Sequence, residues 1–199
     1  MSIPRAATPP YPSTRSRLNF HQYIPQTGDL VIATVHHSST DVYHCSITPY
    51  TAYAQLPQLA FEGATKKTRP QLSAGSLIYA RVLLASKHLD PELECLNPST
   101  GKADGMGELK GGMVFDISVG MARRLLMPKP GEQGGVVVLE AIGEKMPFEV
   151  AVGRNGKIWI DSKGVRETIL VGRAVLETDR GCLSVEEQRK LVRGLLKSS

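Results

Sequence analysis

Residues 30–96 hold five short stretches with the composition of β-strands, and no helical pattern interrupts them. They lie at 30–35, 42–47, 51–56, 77–85 and 92–96. Turn residues separate them, and short strands at such spacing are typical of a small closed barrel. The OB-fold is the common five-stranded case, so we expect an all-β OB-fold barrel here. One face of its fourth strand is expected to be buried, namely Ile78, Ala80, Val82 and Leu84.

The second half of the chain mixes the spacing of strands with that of helices. Strands are expected at 113–117, 148–152 and 157–161. Helices are expected at 118–126 and 165–177, followed by a last helix that starts at Ser184. Residues 136–142 suit a helix or a strand equally, because a run of three valines sits among helix formers. This order predicts a small α+β domain after the barrel.

Two serines mark the starts of helices. Ser118 is a suitable N-cap, and the sequence from Ser184 to Glu187 is a capping box. The periodicity predicts which side of each helix is buried. The expected core residues are Val119, Ala122, Leu125, Leu126, Ile169, Leu170, Ala174, Leu176, Leu191, Val192, Leu195 and Leu196.

Turn residues dominate 97–107, and this stretch is short enough for a tight junction between two domains. The predicted organisation is a short N-terminal extension at 1–22, an OB barrel at 23–103 and an α+β domain with an extra C-terminal helix at 104–199. The extension is rich in Pro, Ser and Arg, a composition that buries little apolar surface on its own.

The net charge is small and limits the kinds of ligand. The chain has 24 Lys and Arg against 19 Asp and Glu, which gives +5. Residues 1–27 carry +3, residues 28–103 carry 0 and residues 104–199 carry +2. This excess is too weak for coating nucleic acid by bulk charge, so a polyanion would need a local patch. No apolar run approaches the roughly 20 residues of a membrane span.

The residue types that support catalysis or metal binding are scattered. The three cysteines lie far apart, which argues against a disulfide scaffold or a cysteine zinc site. His36 and His37 are adjacent, and neighbouring strand residues point to opposite faces, so we do not expect them to share a metal. No Ser/His/Asp order or phosphate-cradling loop is evident. We therefore expect no catalytic site, no metal and no cofactor.

The best candidate for RNA contact is the loop that holds Lys66, Lys67 and Arg69. Three cations within four residues can contact two or three phosphates, and OB barrels bind single strands with their loops and one sheet face. The alternative is a loop that simply faces water, as most charge clusters do. Tyr53, which could stack on a base, and Lys87, just after the fourth strand, are further candidates.

Two tetrads have the G-x-x-G pattern of a KH domain, whose working loop joins two helices and clamps nucleotides. Gly153-Arg154-Asn155-Gly156 lies instead between two predicted strands, and Asn-Gly there is a strong hairpin signal. We interpret it as a structural turn. Residues 131–134 do lie between candidate helices, but Glu132 would repel phosphate. We expect neither tetrad to grip RNA.

Three segments occur in order along the chain: FEGATKKTRP at 61–70, ADGMG at 103–107 and GRNGKIWI at 153–160. Together they resemble the S1/KH cap subunits of the eukaryotic RNA exosome, of the type called ribosomal RNA processing protein forty or exosome component three. The resemblance extends from about residue 23 to residue 196. It implies an S1-type OB barrel followed by a KH-type domain.

The resemblance also implies a function. Such a chain would be a non-catalytic RNA-binding subunit that helps form an entrance pore and guides single-stranded RNA to the nuclease for 3′–5′ processing and decay, including that of ribosomal RNA. Its partners would be RNase PH-like ring subunits and other cap subunits, with no membrane, in the nucleus, nucleolus and cytoplasm. The resemblance also favours RNA contact by Lys66, Lys67 and Arg69. The alternative is a stand-alone S1/KH factor in RNA processing or translation.

Overall fold

A computed structural model describes residues 23–127 and 136–197. The first half forms six strands. These are β1 (Leu30–Ser38), β2 (Val42–Ser46), β3 (Ala54–Pro57), β4 (Leu77–Ser86), β5 (Leu89–Glu94) and β6 (Gly107–Leu109). The predicted N-terminal extension and the tetrad at 131–134 lie outside the described residues.

The first five strands close into a barrel in the order β1-β2-β3-β5-β4, with β4 returning to β1. All pairs are antiparallel except β3 with β5, which meet in parallel at Gln55 and Glu92. This confirms the predicted OB-type barrel. The sixth strand pairs with β4 and was not predicted, because its three residues sit in a glycine-rich stretch that indicates turns.

The barrel core follows from the alternation along the strands. Val31, Ala33 and Val35 of β1 point inward and are buried. On β4, Ile78, Ala80 and Val82 are fully buried as predicted. Leu84 is 39% exposed, which corrects the prediction. Irregular pairing between β4 and β5 begins at Val82 and breaks the strict alternation there.

The second half adds three strands and four helices. In chain order these are β7 (Met113–Asp116), α1 (Val119–Leu125), α2 (Val138–Gly143), β8 (Phe148–Gly153), β9 (Lys157–Ser162), α3 (Val165–Gly181) and α4 (Val185–Lys197). The strands form an antiparallel sheet in the order β7-β9-β8. This confirms the predicted α+β domain, and the ambiguous stretch at 136–142 is helical from Val138.

Central strand β9 shows how the sheet divides its two faces. Ile158 and Ile160 point into the core shared with the helices. Trp159 points to the other face, where it packs with Ile32 of the barrel. The sheet therefore has helices on one side and the barrel on the other, which leaves all three side chains almost fully buried.

Both predicted helix caps are present. The Ser118 hydroxyl accepts a hydrogen bond from the Met121 amide. The Ser184 hydroxyl and Glu187 form the reciprocal bonds of a capping box. The predicted core holds for Ala122, Ala174 and Val192. It is wrong for Ile169, which is 45% exposed, because α3 instead turns Val171 and Val175 toward the sheet.

Candidate nucleic-acid interface

The loop after β3 is held by its own threonines. The hydroxyls of Thr65 and Thr68 lie 2.8 Å apart, and the Thr68 hydroxyl also donates to the Gly63 carbonyl at 3.2 Å. Gly63 has a φ of +65°, a conformation that glycine adopts without strain. These bonds form a compact turn, so Lys66 and Lys67 are presented from a fixed backbone.

The far end of the loop is attached to the turn between β1 and β2. The Tyr43 hydroxyl donates to the Pro70 carbonyl at 2.5 Å, and Tyr43 itself is buried in the barrel. The Arg69 guanidinium donates to the Thr40 carbonyl at 3.4 Å. The loop thus lies beside the β1–β2 turn, which on OB barrels is one of the loops that bind nucleic acid.

The three cations of the loop are exposed. Within residues 23–127 and 136–197, no carboxylate forms an ion pair with Lys66, Lys67 or Arg69. Glu62, the nearby acid in the sequence, accepts a hydrogen bond from the Ala103 amide instead. We call residues 61–70 the cationic loop. Its unpaired charges are available to phosphate oxygens.

The other two predicted RNA residues occupy different places on the barrel. Tyr53 is 41% exposed, lies just before β3 and stacks on His36 with ring centres 4.6 Å apart. Lys87 is exposed in the turn between β4 and β5. That turn is the second loop used by OB barrels. The structure gives no contact that joins Lys87 to Tyr53 or to the cationic loop.

The adjacent histidines correct one expectation. His36 and His37 do not point to opposite faces, since their Nδ1 atoms are 3.1 Å apart. The pairing of β1 with β2 shifts register between Val35 and His37, so a β-bulge turns both rings to the outer surface. The sequence does suggest that His44 could approach one of the two histidines across a hairpin, and His37 lies opposite His44. The bulge itself was not predicted.

The tetrad at 153–156 connects the two domains. The buried Asn155 amide donates to the carbonyls of Ile32 at 2.8 Å and Ile47 at 2.9 Å, and its oxygen accepts from the Ile32 amide. A Cβ at Gly153 would lie 2.7 Å from the Ile32 amide nitrogen. The tetrad is therefore a hairpin turn inserted against β1, which leaves no open clamp for a strand of RNA.

Arg154 adds an ion pair at the same contact. Its guanidinium lies 3.2 Å from one carboxylate oxygen of the largely buried Asp29, while the Tyr23 hydroxyl donates to the other at 2.8 Å. Burial, with the bond to Asp29 second, raises the pKa of Tyr23. This cation of the tetrad is thus engaged with the barrel.

No helix in 23–127 or 136–197 has the length and apolar character to cross a membrane. In the same part of the chain, no group of three or more His, Cys, Asp or Glu side chains is arranged to hold a metal ion.

The sequence of the chain matches known protein families over both of its domains. A model described as "Exosome complex component RRP40, S1 domain" matches residues 23–107, and one described as "KH domain" matches residues 112–166. Exosome complex component rrp40 of Schizosaccharomyces pombe is 42% identical over 88% of this chain and 70% of its own length. The chain belongs to the RRP40 family of exosome components. RRP40 of Drosophila melanogaster is 39% identical over 83% of this chain and 68% of its own length.

A solved structure supports the fold independently. The crystal structure of a "putative exosome complex RNA-binding protein" superimposes with a TM-score of 0.67, at 21% identity, over 88% of this chain and 95% of that chain. The S1 match of the RRP40 family covers the barrel, and the KH match begins just after β6. The fold is therefore an S1 domain followed by a KH domain. The exact boundaries predicted at 22/23 and 103/104 stay predictions.

Proposed function

We propose that this chain is a non-catalytic, RNA-binding cap subunit of the RNA exosome. It would help form the entrance pore and guide single-stranded RNA to a nuclease subunit for 3′–5′ processing and decay. Membership of the RRP40 family supports the assembly, because the relatives are exosome complex components. The cationic loop supports the RNA contact.

The observation that carries the proposal is the state of the cationic loop. Lys66, Lys67 and Arg69 are exposed on a loop with its own hydrogen bonds, and no described carboxylate neutralises them. Surface cations are usually balanced or dispersed when they serve only solubility. A fixed backbone that presents three of them beside the β1–β2 turn suits a strand of phosphates passing over the barrel.

Contacts with neighbouring subunits would use the KH domain. Val165 is 69% exposed and Ile169 is 45% exposed, and both lie on α3 one turn apart. Apolar side chains in such a position are candidates for burial against another protein. We propose RNase PH-like ring subunits and other cap subunits as the partners, and the nucleus, nucleolus and cytoplasm as the locations.

The test is to reconstitute the assembly with Lys66→Ala, Lys67→Ala and Arg69→Ala combined, and to measure RNA threading at several salt concentrations. Each phosphate contact on a single strand contributes about −0.7 to the slope of log K against log salt. Losing two or three contacts should flatten that slope by roughly 1.4–2.1. Unchanged threading and an unchanged slope would show that the loop does not line the pore.

A matched control removes the same charge elsewhere. Arg123, Lys145 and Lys163 are three exposed cations of the KH domain. Replacing them by Ala lowers the net charge equally, and we expect little change in the salt slope. An equal flattening in this control would assign the effect to bulk charge.

The alternative, a stand-alone S1/KH factor in RNA processing or translation, predicts appreciable RNA affinity for the isolated chain. Titration of the purified chain with single-stranded RNA at two salt concentrations separates the two. Weak binding alone with recovery in the assembly supports the cap subunit. Tight binding that the assembly does not improve supports the stand-alone factor.

A further inference from the structure

Four aromatic rings form a cluster on the outer surface of the barrel. His36 stacks on Tyr53 with ring centres 4.6 Å apart, and His37 stacks on His44 at 4.3 Å with the planes 14° apart. The two pairs meet edge to face, with the His36 and His37 centres 5.4 Å apart. We call these four residues the ring cluster.

The backbone is shaped to bring these rings together. The bulge in β1 places the two consecutive histidines on one surface, while regular pairing would separate them. His37 then lies directly opposite His44 on β2. Bulges often re-aim side chains next to functional sites.

The ring cluster is not part of the hydrophobic core. His36 and His37 are exposed and Tyr53 is 41% exposed, whereas their neighbours Val35 and Cys45 point into the barrel. His44 is half-buried, whereas the exposed parts of His36, His37 and Tyr53 face solvent. A flat ligand can therefore reach these three rings without any rearrangement of the core.

The His37 ring favours the uncharged state near neutral pH. Desolvation and then the neighbouring His44 and His36 lower the pKa of His37. Among the described residues, no carboxylate contributes to the lowered pKa of His37. On β3, Gln55 lies opposite His44, and its side-chain amide donates a hydrogen bond to the carboxylate of Asp90 on β5. Glu92 of β5 is the strand partner of Gln55. A neutral His37 ring suits stacking on a base better than contact with phosphate.

The ring cluster and the cationic loop both contact the β1–β2 hairpin. Arg69 of the loop binds the Thr40 carbonyl in the β1–β2 turn, three residues from His37. Three residues span at most roughly 10 Å, which is within the reach of one or two nucleotides along a strand. Proteins that bind single strands combine a cationic path for phosphates with aromatic rings for bases.

We propose that the ring cluster is a stacking site for an unpaired nucleobase of the same RNA strand whose phosphates contact the cationic loop. This inference rests on the proposed function and adds a base-reading surface to it. Because every base has a flat face, the site would accept any of the four bases. The contribution expected from one stacked base is about fivefold or more in affinity.

The experiment compares two RNA strands on the reconstituted assembly. One is an ordinary single strand, and the other has the same length and charge but lacks bases at consecutive internal positions. The variants are His37→Ala with His44→Ala, Tyr53→Ala, and Tyr50→Ala as the control. Tyr50 is 79% exposed and lies outside the ring cluster. A fourth variant, His37→Phe with His44→Phe, keeps the rings but removes their nitrogens.

We expect the wild type and Tyr50→Ala to bind the ordinary strand about fivefold or more tightly than the base-free strand. The alanine variants of the ring cluster should lose this preference and keep the wild-type salt slope. The phenylalanine variant should retain it. Thermal unfolding of each free chain identifies any variant that fails to fold, and Tyr53→Ala then decides the outcome.

Two results would overturn the inference. If the alanine variants keep the full preference for the ordinary strand, the ring cluster does not stack on bases, although the proposed function stands. If the wild-type assembly fails to bind either strand, both the inference and the proposed function are wrong. A flattened salt slope in the triple cationic-loop variant, with the base preference intact, would support the inference that phosphates and bases contact two different sites.

Discussion

The cationic loop and the tetrad at 153–156 are both glycine-containing turns that carry an arginine, but their polar side chains differ in exposure and in partners. In the loop, Lys66 and Lys67 face water without a partner acid among the described residues. In the tetrad, Arg154 pairs with Asp29 and Asn155 is buried against β1. A turn motif alone does not define a binding site. What the turn lies against decides whether its polar groups remain available.

The largest loss of stability should follow the removal of a buried polar side chain from the tetrad. Asn155→Ala leaves the Ile32 amide and the carbonyls of Ile32 and Ile47 without their partner in a buried contact. Each unsatisfied buried group costs roughly 1–3 kcal/mol, so we expect a loss of about 3 kcal/mol in the free energy of unfolding. Urea unfolding measures it, and a loss below about 0.5 kcal/mol would contradict the role of Asn155 in joining the two domains.

High pH should lower the free energy of unfolding through two buried cysteines of the barrel. Burial raises the pKa of Cys45 and of Cys95 to about 12, from 9.0. The unfolded chain therefore releases these protons first, and stability present below pH 9.0 should fall as the pH rises toward about 12. Unfolding at pH 8 and pH 11 tests this. Cys45→Ala with Cys95→Ala should reduce the fall, and an equal fall in that variant would exclude the thiols.

A smaller effect is expected at the ion pair of the tetrad. Arg154→Ala removes the partner of one Asp29 oxygen, while Tyr23 still donates to the other. Because Arg154 is half-exposed, we expect a loss of only about 1 kcal/mol. Added salt should lessen the difference between the variant and the wild type. A loss as large as that of Asn155→Ala would mean that the ion pair dominates the contact.

The smallest effect on stability should come from the cationic loop itself. Lys66→Ala, Lys67→Ala and Arg69→Ala together remove only one hydrogen bond, that of Arg69 to Thr40. Exposed substitutions of this kind usually change the free energy of unfolding by no more than about 0.5 kcal/mol. The same variant should be the one that weakens RNA threading. A large loss of stability would make the loop a structural element like the tetrad.

Local signals predicted much of this structure. Ser184 and Glu187 form their capping box because both partners lie within one turn of helix. The Asn155-Gly156 turn forms a hairpin because Gly156 adopts a φ of +76°. Each of these features is determined by neighbouring residues. The sequence alone could therefore predict the barrel, the α+β domain and the exposed loop between β3 and β4.

Features that depend on distant partners were missed. The bulge at His36 arises from how β1 pairs with β2, and the exposure of Ile169 from how α3 lies on its sheet. The burial of Asn155 needs the barrel as its partner, 123 residues away from Ile32. Periodicity describes one element at a time, so it could predict the turn at 153–156 but not the surface it binds.

The most direct test of RNA contact by the cationic loop is photo-crosslinking from that loop in the complete assembly. A photoreactive residue replaces Lys67, and a matched one replaces the exposed Lys163 of the KH domain. We expect a crosslink to single-stranded RNA from position 67 and none from position 163. Crosslinks from position 67 to a neighbouring protein subunit, with none to RNA, would contradict it.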